Sequence, residues 1–295
     1  MATKTAMITI AGRPNVGKST LTNYLVGEKI AIVSNKPQTT RNRICGIVTR
    51  DDTQFVFVDT PGFHNPRTKL GDYMVNVVKE SVADVDLTVL VVEPVANVGA
   101  QEKALIEQLK ARRCPAVLAI NKIDTVEKEA LLEVISVYSQ ENAFDEIIPI
   151  SAKTGDGIDA LLDICAKYAV ESPFLFPEDY TTDQPERQVM AEIIREKILW
   201  NLDREVPHGT AVEITKFSER DNGIIDIDAT IYCEKASHKG IIIGKHGDML
   251  KKISSMARTD CEKFMGTRVY LTTWVKVKEN WRDSDFLVRN FGYSE

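Results

Sequence analysis

The chain has 295 residues, 43% of them hydrophobic and 27% charged, which is the balance of an ordinary globular protein long enough for two domains rather than of a disordered or fibrous one. No apolar run reaches the ~18 residues that a membrane-spanning helix needs, and residues 1–7 lack the pattern of a secretory leader. Five scattered cysteines without a C-x-x-C pair argue against a disulfide framework or structural zinc and for a reducing cytoplasm.

Met7–Ala11 is a short apolar run with β-branched residues and predicts a buried strand. It leads into Gly12-Arg13-Pro14-Asn15-Val16-Gly17-Lys18-Ser19, which fits G-x-x-x-x-G-K-S, and Ser19–Val26 then has helical character. A glycine-rich turn between strand and helix is a phosphate cradle: the backbone can curl round the anion, and N–H groups at the helix start point at it. Lys18 would reach the outer phosphates and the Ser19 hydroxyl would hold Mg²⁺; Gly12, Asn15, Val16, Gly17 and Thr20 complete the predicted contact set.

Ser34–Arg41 is polar and aperiodic and predicts a mobile loop. Ile44–Thr49 and Gln54–Asp59 predict an antiparallel pair across the turn at 50–53. The second strand ends in Asp59-Thr60-Pro61-Gly62. There Asp59 can hold Mg²⁺ through water, and Gly62 can offer its N–H to a γ-phosphate. Leu87–Val92, a helix near 101–111, and Ala116–Ile120 follow, the apolar runs reading as central parallel strands.

Ala116–Ile120 runs into Asn121-Lys122-Ile123-Asp124. Asp124 can accept two hydrogen bonds from guanine's ring N–H and amine, a pattern adenine does not offer. Asn121 either contacts the base edge or ties neighbouring loops together, and the Lys122 stem covers the base. Ile147–Ile150 predicts a last strand that ends in Ser151-Ala152-Lys153, with the Ala152 N–H expected to meet the base oxygen. Strands alternating with helices predict a doubly wound, mostly parallel α/β domain with its ligand at the strand C-termini.

Residues 173–185 hold prolines and acidic side chains without periodicity, and predict a linker. A helix over 186–202, strands over 211–217 and 224–232, a Gly244-Lys245-His246-Gly247 turn, a helix over 248–264 and a strand over 268–277 follow. This order is that of a KH domain of the prokaryotic topology. Its G-x-x-G backbone can approach a nucleic-acid backbone, with Lys245 placed at a phosphate. The overall charge of −6 conceals a local block: residues 235–282 carry 11 basic and 4 acidic side chains, against 6 and 12 in residues 183–234. Lys239, Lys251 and Lys252 extend this positive surface, and Ile241–Ile243 and Ile253 divide between core and a groove for bases.

The five nucleotide motifs in this order resemble the translation-factor-related GTPases. The loop sequence together with Gln38-Thr39-Thr40-Arg41 and the C-terminal KH pattern resembles the Era branch over essentially the whole chain. The resemblance implies a P-loop GTPase domain over 1–172, a linker over 173–185, a type II KH domain over 186–279 and a helical tail over 280–295. It implies GTP and GDP as ligands, with Lys18, Thr40, Asp59 and Gly62 as the catalytic set and Mg²⁺ held by Ser19, Thr40 and Asp59. Thr40 is then the switch threonine, with Thr39 its rival, and Asn15 matches an asparagine that holds K⁺. Where Ras-type enzymes place a water-orienting glutamine this chain has Phe63, so intrinsic hydrolysis should be slow; His64 is either a substitute base or a solvent-facing loop residue. Ser254 stands where the family often has glycine. By the same resemblance the partners are the 3′ end of small-subunit rRNA and the small (30S) ribosomal subunit, for a monomeric, cytoplasmic protein associated peripherally with the inner face of the cell membrane. The alternative is a GTPase switch whose KH-like domain docks a protein or a membrane.

Overall fold

In order, the first stretch of chain forms β1 (Lys4–Ala11), α1 (Lys18–Val26), β2 (Ile44–Arg50), β3 (Thr53–Asp59), α2 (Lys69–Ser81) and β4 (Leu87–Val92). Then come α3 (Ala100–Arg112), β5 (Ala116–Ile120), α4 (Lys128–Ser139), β6 (Glu146–Pro149), α5 (Ile158–Ala166) and the two-residue β7 (Val170–Glu171). The rest is α6 (Glu186–Asn201), β8 (Thr210–Glu219), β9 (Ile225–Cys233), α7 (Ala236–Ile243), α8 (Asp248–Met265), β10 (Val269–Val277) and α9 (Asp285–Asn290). This computed structural model describes residues 2–62, 68–81 and 85–293. Those residues fall into two units, one built from residues 2–31, 40–62, 74–81 and 85–183, the other from residues 32–39, 68–73 and 184–293.

The first unit is a sheet in the order β2-β3-β1-β4-β5-β6, parallel from β3 to β6. β2 pairs antiparallel with β3, and β7 antiparallel with the start of β1. The unbroken apolar run of β4 follows from burial on both faces. Leu87, Val89 and Val91 pack with Leu21 of α1 and Leu161 of α5, while Leu90 and Val92 pack with Leu105 of α3 and Val134 of α4. The loops after β1, β3, β4, β5 and β6 therefore gather at one edge of the sheet, where an open α/β sheet takes its ligand.

β2 would be an unpaired edge, and edges invite wrong partners. The stretch expected as a linker covers it. Thr181 accepts from the Ile47 N–H (2.9 Å), Gly46 bridges to Thr182, and Asp183 accepts from the Cys45 N–H (3.1 Å). Gln54, fully buried, accepts from the N–H groups of Leu175 (2.9 Å) and Phe176 (3.0 Å). The prolines and acidic residues that read as linker thus lie against the first unit as far as Asp183.

In the second unit β10 runs parallel to β9, which is antiparallel to β8, giving the order β10-β9-β8. Three helices cover one face, with Val189, Ile193, Ile194 and Ile198 of α6, Ile242 of α7 and Ile253, Ala257 and Cys261 of α8 in the core. Ser254, the departure from the family's glycine, bonds the Thr273 hydroxyl of β10 (2.7 Å), so the larger side chain is accommodated by a cross-element hydrogen bond. The tail is anchored: Trp281 is fully buried, donates to the Gly209 carbonyl (3.0 Å) and packs edge-on to Phe291 (5.3 Å).

The loop before Thr40 is irregular, as expected, but it is not free. The Val33 N–H donates to Glu196 (2.9 Å), and the Trp200 indole donates to the Val33 carbonyl (2.9 Å). The Lys36 ammonium reaches the Leu202 carbonyl and pairs with Asp203 (3.0 Å). Ile32–Thr39 accordingly belongs to the second unit.

Candidate functional site

The phosphate loop owes its shape to two glycines. Gly12 has φ +148°, and a Cβ there would stand 2.5 Å from the Val91 carbonyl oxygen. Gly17 has φ +102°, and its Cβ would strike the Asn121 amide at 2.3 Å. Between them the loop closes on Lys18, whose ammonium donates to the Gly12 and Arg13 carbonyls, both at 3.0 Å. The lysine is buried, and desolvation lowers its pKa to about 8 even though the Asp59 charge works the other way. Among the described residues its hydrogen bonds go to carbonyl dipoles, and an anion in the loop would add a direct counter-charge.

Asp59 at the end of β3 is fully buried, and desolvation raises its pKa to about 6 against the pull of Lys18 and a Ser19 hydrogen bond. Its Oδ2 accepts from the Ser19 hydroxyl (2.7 Å), which lies 2.8 Å from the Thr40 hydroxyl. Among the described residues its Oδ1 is buried without a well-formed hydrogen bond, although the Thr60 N–H acts on the carboxylate. One carboxylate and two hydroxyls converging around an unpartnered buried oxygen are a hard-oxygen donor set that fits Mg²⁺. Thr39 is turned away, its hydroxyl donating to the Lys36 carbonyl (2.6 Å). Gly62 lies against the loop, where a Cβ would come within 2.7 Å of Pro14. Phe63 and His64 lie outside the described residues.

A cavity of about 250 Å³ opens beside the loop, lined by Gly17, Thr20, Asn121, Lys122, Asp124 and Lys153 among others. Asn121 ties loops together: its amide donates to the Val16 carbonyl (2.8 Å), and its Oδ1 accepts from the Ala152 N–H (2.9 Å). The Ala152 N–H, expected to meet the base oxygen, donates here to Asn121. Asp124 accepts from the Ser151 hydroxyl through one oxygen (2.7 Å), which orients the carboxylate at the cavity. The Lys122 ammonium donates to the Asn15 carbonyl (2.7 Å).

In the second unit the G-x-x-G turn joins α7 to α8. Gly244 (φ +75°) must be glycine on two counts, since a Cβ would lie 2.6 Å from that of Met249. Gly247 (φ +85°) has open space and is required by its dihedral alone. Lys245, His246, Lys251 and Lys252 are exposed and Lys239 is half-buried. Of the isoleucines, Ile242 and Ile253 are fully buried in the core and Ile241 is half-exposed beside the turn.

Comparison with known proteins agrees with this geometry over the whole chain. Residues 7–122 match a family described as "50S ribosome-binding GTPase", and residues 205–282 match the KH domain family. The GTPase Era of Ruminiclostridium cellulolyticum is 53% identical over 293 residues, covering 99% of this chain and 98% of that protein. The chain belongs to the Era family of GTPases. A crystal structure of Aquifex aeolicus Era bound to GDP and AlF4⁻ superposes with a TM-score of 0.94 at 37% identity, covering 99% of this chain and all of the other. Era in complex with MgGDPNP and nucleotides 1506–1542 of 16S ribosomal RNA gives the same TM-score at 36% identity and the same coverage.

For an Era-family GTPase, two acidic residues beside the phosphate loop escaped the sequence reading. Glu93 pairs through one oxygen with Arg13 of the loop (2.6 Å) and through the other with Lys122 (2.5 Å). Glu102, nearly buried, takes the other side of the Arg13 guanidinium (2.9 Å). Glu93 thus fastens the phosphate loop to the loop at residues 121–124, and Glu102 fastens it to α3. The only sequence signal was the position of Glu93 just past the end of a central strand, where ligand-facing residues collect.

Proposed function

We propose that this chain binds GTP in its first unit, hydrolyses it slowly, and uses its second unit to hold the 3′ end of small-subunit rRNA during assembly of the small ribosomal subunit, with nucleotide state controlling the RNA contact. The observation that carries this reading is the lysine-bearing G-x-x-G turn with Lys245 and His246 exposed, in a chain that also carries the residues expected of a guanine-nucleotide site. The likeness to an Era complex holding MgGDPNP and a 16S fragment spans 99% of the chain. The description that speaks of the 50S subunit matches residues 7–122 alone, so the match that includes the RNA domain weighs more.

In this account Lys18 and the loop N–H groups stabilise charge developing on the γ-phosphoryl oxygens, and the Gly62 N–H adds a donor. Ser19, Thr40 and Asp59 would hold Mg²⁺, which when bound neutralises charge on the β- and γ-phosphates. Thr40 rather than Thr39 is favoured by its 2.8 Å approach to Ser19. Asp124 selects guanine, with Asn121, Lys122, Ser151, Ala152 and Lys153 shaping its cavity. Hydrolysis is slow because a phenyl side chain at position 63 has no polar atom with which to orient water.

Nucleotide handling is assigned to residues 1–172, RNA handling to 186–279, and 280–295 is the anchored tail. Asn15, exposed in the loop, is assigned as a K⁺ ligand; turnover that is equal in K⁺ and Na⁺ removes that role. We assign a monomeric, cytoplasmic protein whose basic α8 surface also meets anionic lipid at the inner membrane face. Among the described residues no helix is long and apolar enough to cross a membrane.

The test is binding of a labelled rRNA 3′-end oligonucleotide to the wild type and to a Gly244→Asp, Gly247→Asp double variant. Tight, strongly salt-dependent binding that the variant loses supports the reading. Binding that is weak and equal in both, with cosedimentation on anionic phospholipid vesicles instead, hands the second unit to a membrane.

A further inference from the structure

The cations of the nucleotide loops differ in their partners. Among the described residues the hydrogen bonds of Lys18 go to carbonyls. Arg13 and Lys122 are instead paired already, and they share one carboxylate. Glu93, the residue after β4, meets the Arg13 guanidinium through one oxygen (2.6 Å) and the Lys122 ammonium through the other (2.5 Å). The chain of charges runs one step further. Arg13 Nε stands 2.9 Å from an oxygen of Glu102, close enough to pair as ions though off line for a hydrogen bond. Glu102 is 4% exposed in the first turn of α3 and folds back over Gly99, where a Cβ would lie 2.5 Å from its second oxygen. A carboxylate there also faces the positive end of the helix dipole.

Partly exposed ion pairs add little to stability by themselves, and the backbone gives this set another reason to exist. Lys122 has φ +65° and Asn15 φ +67°, both left-handed and neither glycine. Such backbones are costly and persist where surrounding contacts over-determine them. Here the contact is direct, because the Lys122 ammonium that Glu93 holds also donates to the Asn15 carbonyl (2.7 Å). The Lys122 side chain thus crosses from its own loop to the phosphate loop while lining the cavity between them. We infer that Glu93 is a positioning residue for nucleotide retention: oriented by Arg13 and Glu102, it acts through the Lys122 ammonium to hold the lysine stem along the base cavity. The inference rests on the reading of residues 121–124 as the base loop. It concerns how long either nucleotide stays rather than the hydrolytic step, because Ser19, Thr40 and Asp59 make their contacts with one another.

The experiment follows release of fluorescent GDP and of a fluorescent non-hydrolysable GTP analogue from the full chain with Mg²⁺, alongside single-turnover hydrolysis of preloaded GTP. Wild type is compared with Glu93→Ala, Glu93→Gln, Lys122→Met, a Glu93→Ala, Lys122→Met double variant and Asp124→Asn. Glu93→Ala is expected to speed release of both nucleotides about tenfold, the scale of one hydrogen bond to a charged group. Hydrolysis of GTP already bound is expected to stay within about twofold. Lys122→Met should speed release at least as much, and the double variant should release no faster than Lys122→Met alone, since residues in one chain of contacts do not act additively. Glu93→Gln, which keeps the shape and loses the charge, should fall between Glu93→Ala and wild type. General loosening of the fold would make the two single effects multiply and would slow hydrolysis as well. Release from both Glu93 variants at the wild-type rate overturns the inference, and so does slower release, as an Arg13 set free to reach the phosphates would give. A double variant whose effect is the product of the single effects overturns it too. Should Glu93→Ala not fold, wild-type release from Glu93→Gln is enough to overturn it. If Asp124→Asn keeps wild-type affinity for GDP, the base-loop reading itself fails and the inference falls with it.

Discussion

Two buried cations, Lys18 in the first unit and Lys197 in the second, show what separates a site from a scaffold. Lys197 sits between two carboxylates at 2.5 and 2.6 Å, so its charge is balanced inside the fold. Lys18 is nearly as buried, but among the described residues its hydrogen bonds go to two carbonyls, and desolvation lowers its pKa to about 8. Asp59, whose charge acts on Lys18, has an oxygen without a hydrogen-bond partner among the described residues. Lys197 is therefore balanced by carboxylates of its own unit, whereas Lys18 and Asp59 sit where a phosphate and a hard cation would add the missing partners. An incomplete buried charge is a request for a ligand; a complete one is a joint.

The sharpest way to break that contrast is to remove the unbalanced charge. Lys18→Met should fold at least as well as wild type, since it relieves a desolvated cation, yet lose roughly a hundredfold or more in GTP affinity, the scale of a strong charge-assisted contact; isothermal titration together with thermal melting reads both. Next in size is Asp124→Asn, which offers a donor where guanine also donates. GTP affinity should fall on the order of a hundredfold in competition binding, because a buried polar mismatch discriminates strongly.

Asp59 gives a pH test with a definite sign. Its pKa in the folded protein is about 6, above the ordinary 3.8, so protons compete with the cation in that range. Mg²⁺-dependent GTP binding should weaken as pH falls below 6, approaching about tenfold per unit. The nucleotide-free protein behaves oppositely. Between about pH 4 and 6 the folded state holds a proton that the unfolded state has released, so stability declines as pH rises, by roughly 3 kcal/mol in total from this group. Asp59→Asn should flatten both profiles. The smallest expected effect is at the joint between α8 and β10. Ser254→Ala removes two partly buried hydrogen bonds, to the Leu250 carbonyl and the Thr273 hydroxyl, and should lower stability by about 1–2 kcal/mol in denaturant melts, leaving GTP binding untouched.

What could be read from the sequence follows the same division. The phosphate loop, Asp59 and Asn121-Lys122-Ile123-Asp124 were legible because each sits at the end of an apolar run that could only be a central strand. The KH order was legible from alternating runs around Gly244 and Gly247. The grip on residues 32–39 was not. Arg195, Glu196 and Lys197 look like the wet face of α6 when only Val189, Ile193, Ile194 and Ile198 are counted, and nothing local says that a distant loop covers them. β7 escaped because two residues carry no period. Residues 173–183 read as linker because prolines describe what a segment cannot do, whereas its hydrogen bonds to β2 and β3 depend on an edge far away in sequence. The Asn121–Ala152 hydrogen bond depends on the rotamer of Asn121 and had no local signal.

The central claim is that the state of the nucleotide site governs the RNA-binding turn. Its most direct test is the affinity of the rRNA 3′-end oligonucleotide for the full chain saturated with a non-hydrolysable GTP analogue and, separately, with GDP, at fixed salt and Mg²⁺. The account predicts binding at least about tenfold tighter in the GTP-like state, a coupling of ordinary allosteric size, with the preference abolished in Thr40→Ala. Equal affinity in the two nucleotide states, with both sites saturable, would contradict it.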